Sequence, residues 1–310
     1  MRLAWLTVPR SRLDRGRSDV DVHTACWDGP TQGPVFVCVH GLGGSHVNWA
    51  LLAQRLADRG TVYAPDLAGF GLTPPTGRRP TVDDNLDLLS GFVRTVSPDR
   101  PVILLGNSMG GLLTLLLCAA RPRLVERAVL IAPASPRPLN APVDPRVVVN
   151  FAAMAVPGLG ERFLARRQAR TTPAQQVRET MLLCAAHPDR LDADLLDKHV
   201  DLVRRRRELP YARAAMLHAA RSLLKLIGPG QRRVWKAVDD SRAPTLLIHG
   251  AKDRLVLAGG IERLAARRGD WEHITYDDLG HVPMLEAPDR LADDILIWLD
   301  QTQESSQVLS

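Results

Sequence analysis

The run Gly106-Asn107-Ser108-Met109-Gly110 constrains this chain more than any other stretch, because of what flanks it. Val102 to Leu105 before it is an apolar run of strand length, and Leu112 to Ala120 after it is an apolar run of helical length. A strand must therefore turn sharply into a helix within a few residues. Such a turn forces Ser108 into a strained backbone conformation, and Gly106 and Gly110 remove the Cβ atoms that would otherwise clash with it. The Ser108 hydroxyl is then lifted clear at the tip of a sheet. Ordinary Gly and Ser usage yields such a pentapeptide in roughly one chain of this length in ten. The pattern gains meaning only if a base, an acid to orient it and further N–H donors follow in a workable order.

Those partners are present. Thr245-Leu246-Leu247-Ile248-His249-Gly250 reads as a buried strand and a turn, with Asp253 just beyond it. Ile274-Thr275-Tyr276 reads as another strand, followed by the loop Gly280-His281-Val282-Pro283. His281 is the candidate base and Asp253 its candidate acid, although Asp240, Asp277 and Asp278 also lie near strand ends. Upstream, Val35-Phe36-Val37-Cys38-Val39 is an apolar strand that runs into His40-Gly41-Leu42-Gly43-Gly44, a loop able to turn a backbone N–H towards the serine. The order Ser108, Asp253, His281 is that of hydrolases built on a strand-to-helix nucleophile turn.

With HGLGG at 40–44, DLAGFG at 66–71, GNSMGG at 106–111, HGAKDRLV at 249–256 and GHVPMLEAP at 280–288, the chain resembles a serine hydrolase of the α/β-hydrolase superfamily, of the esterase and lipase type with a helical cap. The likeness spans about residues 33 to 300. It implies an oxyanion hole formed by the N–H groups of Met109 and, from the glycine-rich loop, Leu42. Gly41 and Gly43 support that loop, and His40 orients it. Asp66 is expected to bond N–H groups of its own turn, and His249 to pack at a strand end. Trp49, Phe70, Met284 and Leu285 are candidates either for the acyl pocket or for the core.

Alternating strands and helices up to about residue 133, resumed at Pro244, predict a doubly wound, mostly parallel sheet covered on both faces. Strands are expected at 35–39, 61–65, 102–106 and 127–132, helices at 46–58, 82–96 and 109–121, and a final helix at about 285–301. Residues 10–32 read as an antiparallel hairpin with Gly16 and Gly29-Pro30 as turn signals. Residues 134–240 show helical periodicity without a strand, so the expected organisation is a core of 1–133 and 241–310 with a helical cap inserted at 134–240. Gln301 to Ser310 read as a frayed tail. A chain of 310 residues with 45% hydrophobic content can bury one such core and carry the insertion.

The insertion carries 19 basic and 11 acidic residues, a surplus of +8 in a chain whose net charge is +6. Its arginines, Arg204 to Arg207 and Arg162, Arg166, Arg167 and Arg170 among them, read either as solvated helix faces or as a patch for anionic substrates, a carrier protein or an acidic membrane surface. Aromatic residues are 5% and none alternates with the arginines, which argues against nucleic acid. No metal or cofactor motif is present, and hydrolysis by this triad needs only water. Cys26, Cys38, Cys118 and Cys184 lack C-x-x-C spacing and are expected reduced, which favours a cytoplasmic setting. The apolar run at the N-terminus is too short for a signal-peptide core, and no stretch approaches a spanning helix.

The expected activity is cleavage of a small to medium, mostly apolar carboxylic ester. Three alternatives stand beside it: a C–C bond hydrolase of the meta-cleavage-product type, whose anionic dienolate would suit Arg162 or Arg166; an acyltransferase or lactone-processing enzyme; and a ligand-binding protein on the hydrolase fold. The sequence leaves the substrate, the oligomeric state and the role of Phe151 to Leu159 open.

Overall fold

The computed structural model describes residues 1–9, 19–75, 79–136 and 144–308. Eight strands, β1 (Arg2–Val8), β2 (Val20–Trp27), β3 (Val35–Val39), β4 (Thr61–Pro65), β5 (Val102–Asn107), β6 (Val125–Ile131), β7 (Thr245–Gly250) and β8 (Glu272–Tyr276), form one sheet in the order β1-β2-β4-β3-β5-β6-β7-β8. β1 pairs antiparallel with β2 and β2 with β4, and every other pairing is parallel. The central strands are near-continuous apolar runs because both faces are covered. Alternate residues serve different layers: Val35, Val37 and Val39 of β3 and Val102 and Leu104 of β5 face one core, Phe36, Cys38, Ile103 and Leu105 the other.

Twelve helices accompany the described strands. Three precede β6: α1 (Ala50–Leu56), α2 (Val82–Val96) and α3 (Met109–Ala120). Between β6 and β7 come α4 (Pro145–Ala155), α5 (Leu159–Arg170), α6 (Pro173–Cys184), α7 (Ala193–Arg207), α8 (Ala212–Ile227) and α9 (Gln231–Asp240). The chain ends with α10 (Ala258–Arg267), α11 (Pro283–Glu286) and α12 (Pro288–Val308). Local chemistry sets several boundaries. Thr172 and Gln175 form a reciprocal capping box at the start of α6, with Pro173 at the first helical position. Asp192 caps α7 by accepting the Leu195 N–H at 2.7 Å. α9 buries Val234, Ala237 and Val238 in the same core layer as α3, beside the sheet.

Two sequence expectations need correction. The N-terminal hairpin is made by residues 2–8 pairing with 20–27, from Arg2 opposite Cys26 to Val8 opposite Val20. β1 escapes sequence reading because Leu3 and Trp5 stay about half exposed and no apolar alternation marks it. Gly29-Pro30 turns β2 into β3, through the Gly33 N–H bonded to the Pro30 carbonyl, while Gly16 lies outside the described residues. The expected frayed tail is helical instead, since α12 runs on to Val308. No Gly or Pro interrupts it after Pro288, and the Thr302 hydroxyl, which accepts the Arg127 Nε–H at 2.9 Å, ties it to the body.

No helix among the described residues is long and apolar enough to cross a membrane. The strand order changes direction at β3: its successor β4 lies on one side and β5 on the other. Loops leaving the C-terminal ends of β3 and β5 therefore diverge and leave a crevice between them. Leu104, fully buried at the centre of β5, supports that edge. Leu104→Ala is expected to cost about 2–5 kcal/mol of stability, measurable as a lowered urea midpoint at unchanged slope.

Candidate active site

At the end of β5 the chain enters α3 through Ser108, whose φ of 56° and ψ of −119° lie where non-glycine residues rarely go. The conformation is fixed from several sides. The Ser108 N–H donates to the Ile131 carbonyl at 3.0 Å, and the Ser108 carbonyl accepts from Leu112 and Ala134. A Cβ on Gly106 would strike the Gly110 carbonyl, and one on Gly110 would strike the Val39 carbonyl, so both positions need glycine. Met109 opens α3, and its N–H, in the first helical turn, has no partner within the helix.

His281 reaches the same crevice from the loop after β8. Its Nδ1–H donates to Asp253 Oδ2 at 2.7 Å, which leaves Nε2 bare as an acceptor. Asp253 Oδ1 accepts the N–H groups of Leu255 and Val256 at 2.7 and 3.0 Å. Burial alone would push the Asp253 carboxyl up; the charge of His281, the hydrogen bonds from His281 and the Val256 N–H, and the His249 ring 3.6 Å away outweigh it and hold the group ionised, well below the usual carboxylate range. Ser108 and His281 line one cavity of about 520 Å³ together with Gly41, Leu42, Gly43 and Gly44. No hydrogen bond joins the Ser108 hydroxyl to His281, a spacing that substrate-free hydrolases tolerate.

The glycine-rich loop is held by two buried groups. His40 donates from Nδ1 to the Gly41 carbonyl at 2.8 Å and accepts the Leu67 N–H at Nε2, so both ring nitrogens are engaged by the neutral form. Burial pushes His40 down to about 4, against the opposing pull of Asp66. Asp66 is a buried hub: Oδ1 takes the His46 N–H, Oδ2 the Leu72 N–H and His23 Nδ1, and His46 Nδ1 lies against both oxygens. His23, His46 and Asp66 bring metal-ligand side chains within 4.8 Å of one another. Both rings and two backbone N–H groups already satisfy the carboxylate, so hydrogen bonding alone accounts for the cluster.

Other expected residues divide between pocket and core. Leu285 lines the cavity, whereas Trp49, Phe70 and Met284 are fully buried in the core. His249 packs at the end of β7 with Nε2 against the Val256 carbonyl. Phe151 and Met154 line the cavity, while Val156 and Leu159 of the same stretch are exposed. Arg162 and Arg166 lie off the cavity wall; the arginines on it are Arg167, Arg206, Arg207 and Arg213. All four cysteines are free thiols, and burial pushes Cys184, which lines the cavity, up to about 12, too high to compete as a nucleophile.

Three positioning groups escaped the sequence reading. Asn107, a free position in the G-x-S-x-G pattern, donates from Nδ2 to the carbonyls of His281 and Ile131 at 3.0 and 3.2 Å. The His281 N–H donates to the Cys184 carbonyl at 2.7 Å, across to the end of α6. Glu286 accepts the Gly280 N–H on one carboxylate oxygen at 2.8 Å and those of Ala186 and His187 on the other at 2.7 and 3.3 Å. The one available signal was Glu286 itself, an acidic residue five positions after a candidate base.

Two expectations follow. Glu286→Gln sets an amide NH2 against a backbone N–H and should lower kcat about 10- to 100-fold with a smaller change in KM and near-native melting; a kcat within two-fold of wild type would refute its positioning role. His40 and His199 both titrate at about 4 in the fold, against 6.5 for the free side chain. The unfolded chain therefore binds more protons between these values, and stability should fall as pH drops through 6.5 and keep falling to about 4. Urea unfolding at pH 8, 6 and 5 checks this, with a shallower decline expected for His199→Leu.

Comparison with known proteins bears on the family and the fold. The family model described as "Alpha/beta hydrolase family" matches residues 36–294. A pimeloyl-(acyl-carrier protein) methyl ester esterase of Aromatoleum aromaticum is 32% identical over 268 residues, covering 84% of this chain and 95% of that protein. A thermophilic esterase from Thermogutta terrifontis superposes with a TM-score of 0.70 at 20% identity, covering 96% of this chain and 98% of that one. A meta-cleavage product hydrolase from Pseudomonas fluorescens IP01 gives 0.70 at 18% identity, covering 96% and 98%. With its eight-stranded, mostly parallel sheet and the matched span of residues 36–294, this chain belongs to the alpha/beta hydrolase family.

Proposed function

We propose that the protein hydrolyses a carboxylic ester of a small to medium, mostly apolar substrate through an acyl-enzyme formed on Ser108. The observation that carries this reading is the meeting of a left-handed Ser108 with His281 in one cavity, while the other face of His281 is committed to Asp253. His281 Nε2 removes the hydroxyl proton as the serine oxygen attacks the ester carbonyl, then delivers it to the departing alcohol. Ionised Asp253 keeps Nδ1 protonated and stabilises the imidazolium. The N–H groups of Leu42 and Met109 receive the tetrahedral oxyanion, each donor being worth about 3 kcal/mol of barrier. Water then attacks the acyl carbon as His281 takes its proton, the bond to Ser108 Oγ breaks, and His281 returns the proton to Oγ as the acid leaves.

Helices α4 to α8 supply much of the cavity wall and act as a lid over the strand ends. The wall is largely apolar, with Leu42, Val147, Phe151, Met154 and Met216 among its residues, which suits an acyl chain. The relative from Aromatoleum aromaticum, a methyl ester esterase by name, supports the ester-bond assignment. Free thiols fit a reducing, cytoplasmic setting.

The test is hydrolysis of p-nitrophenyl esters from acetate to palmitate. Ser108→Ala should lower kcat by three or more orders of magnitude while the fold melts normally. Failure of the wild type on every ester, with Ser108 still labelled by a fluorophosphonate, would overturn the substrate class and leave the nucleophile standing.

A further inference from the structure

The cavity wall carries four arginines, Arg167, Arg206, Arg207 and Arg213, and no aspartate or glutamate among the described residues. Their own partners leave most of that charge unbalanced. Among the described residues only Arg167 meets a carboxylate, Glu179 at 3.0 Å. Arg206 donates to the carbonyls of Gly69 and Gly71 at 3.1 and 2.9 Å and lies over the Phe70 ring, with Asp66 partly offsetting its charge. Arg207 donates to the Thr171 carbonyl, the Thr171 hydroxyl and Gln176 Oε1 at 2.7, 3.1 and 2.9 Å. Arg213 reaches Gln168 Oε1 at 3.5 Å. These acceptors are neutral, so they aim the guanidinium groups without cancelling them.

Two polar atoms of the same wall are buried without any partner: Arg207 Nε and His199 Nε2. His199, Leu202, Val203 and Arg206 recur at helical spacing and give α7 one face that lines the cavity. A cationic, incompletely satisfied wall in a mostly apolar cavity is costly when left alone, and an entering oxyanion relieves it, the more so because guanidinium binds planar oxyacids in pairs of hydrogen bonds.

We propose that the substrate of the Ser108 site carries an anionic oxyacid group, a carboxylate or a phosphate, separated from the scissile ester by an apolar stretch, and that Arg207 and Arg213 receive it. This rests on the ester hydrolysis proposed above. Arg206 is the clamp that holds α7 to the Gly69–Gly71 turn, whereas Arg207 and Arg213 hold only side chains and a carbonyl of the helical layer.

The experiment compares kcat/KM for mono-p-nitrophenyl suberate and for the p-nitrophenyl ester of 8-phosphonooctanoic acid with that for p-nitrophenyl octanoate, at low ionic strength. Wild type should favour at least one anionic ester by about 10-fold, and which one reports whether the group is carboxylate or phosphate. Arg207→Gln and Arg213→Gln should each cut that ratio at least five-fold, whereas Arg162→Gln, off the cavity wall, should change it less than two-fold. Because Arg207 also anchors Thr171 and Gln176, Arg213→Gln, at an exposed position, carries the test if Arg207→Gln fails to fold. A wild-type ratio at or below one, or an equal drop in Arg162→Gln, overturns the proposal. If octanoate is cleaved through Ser108 without regard to charge, ester hydrolysis stands and the anion site falls. If no ester is cleaved, the ester reading falls and takes the anion site with it.

Discussion

Everything around the site depends on holding Ser108 at positive φ. A non-glycine residue kept there costs on the order of 1–3 kcal/mol, and it stays only because its surroundings over-determine it. The Ser108 N–H is fixed to the end of β6, its carbonyl to Leu112 and Ala134, and the backbone beneath is packed against Val39 so closely that only glycine fits at position 110. The strain is thus held by the buried central strands β3, β5 and β6, and the hydroxyl is presented at the crevice where the strand order reverses.

A second layer of order comes from buried charge. Asp66 gathers β2 through His23, the start of the 46–49 turn through His46, and its own turn through Leu72. Arg206 caps the carbonyls of that same turn from α7. A single carboxylate therefore lies within one or two hydrogen bonds of the antiparallel edge, the glycine-rich loop and the helices between β6 and β7. Truncating such a group leaves buried donors unmet, which costs more than the bonds themselves contribute.

The sequence made the sheet legible because its central strands are buried on both faces and read as apolar runs; Ser108 and Asp253 each sit just after such a run, whereas His281 follows the more exposed edge strand β8. Order and the flanking strands singled out Ser108 and His281 as candidates and left Asp240, Asp277 and Asp278 beside Asp253, and they gave no sign of the contacts that steer these residues. Asn107 and Glu286 act through backbone groups of residues far away in the chain, a relation no local pattern encodes. β1 was missed because its large apolar residues are solvent-facing, and the extent of α12 because a polar helix end differs little in composition from a loose tail. Arg167, Arg206 and Arg207 of the cavity could not be separated from arginines on the outer helix faces until the helices were packed, since both sets belong to the same basic clusters.

The bond from the His281 N–H to the Cys184 carbonyl ties the end of α6 to the histidine loop. Residues 184–187 are the seat on which the histidine loop rests, with Glu286 fastening the joint from the other side. Any swing of α6 away from the cavity mouth must slide at this seat or carry the imidazole with it. The helices between β6 and β7 and the His281 loop are thus joined as one part, and α4 to α8 transplanted onto a related sheet would leave His281 in place only if this seat travelled with them.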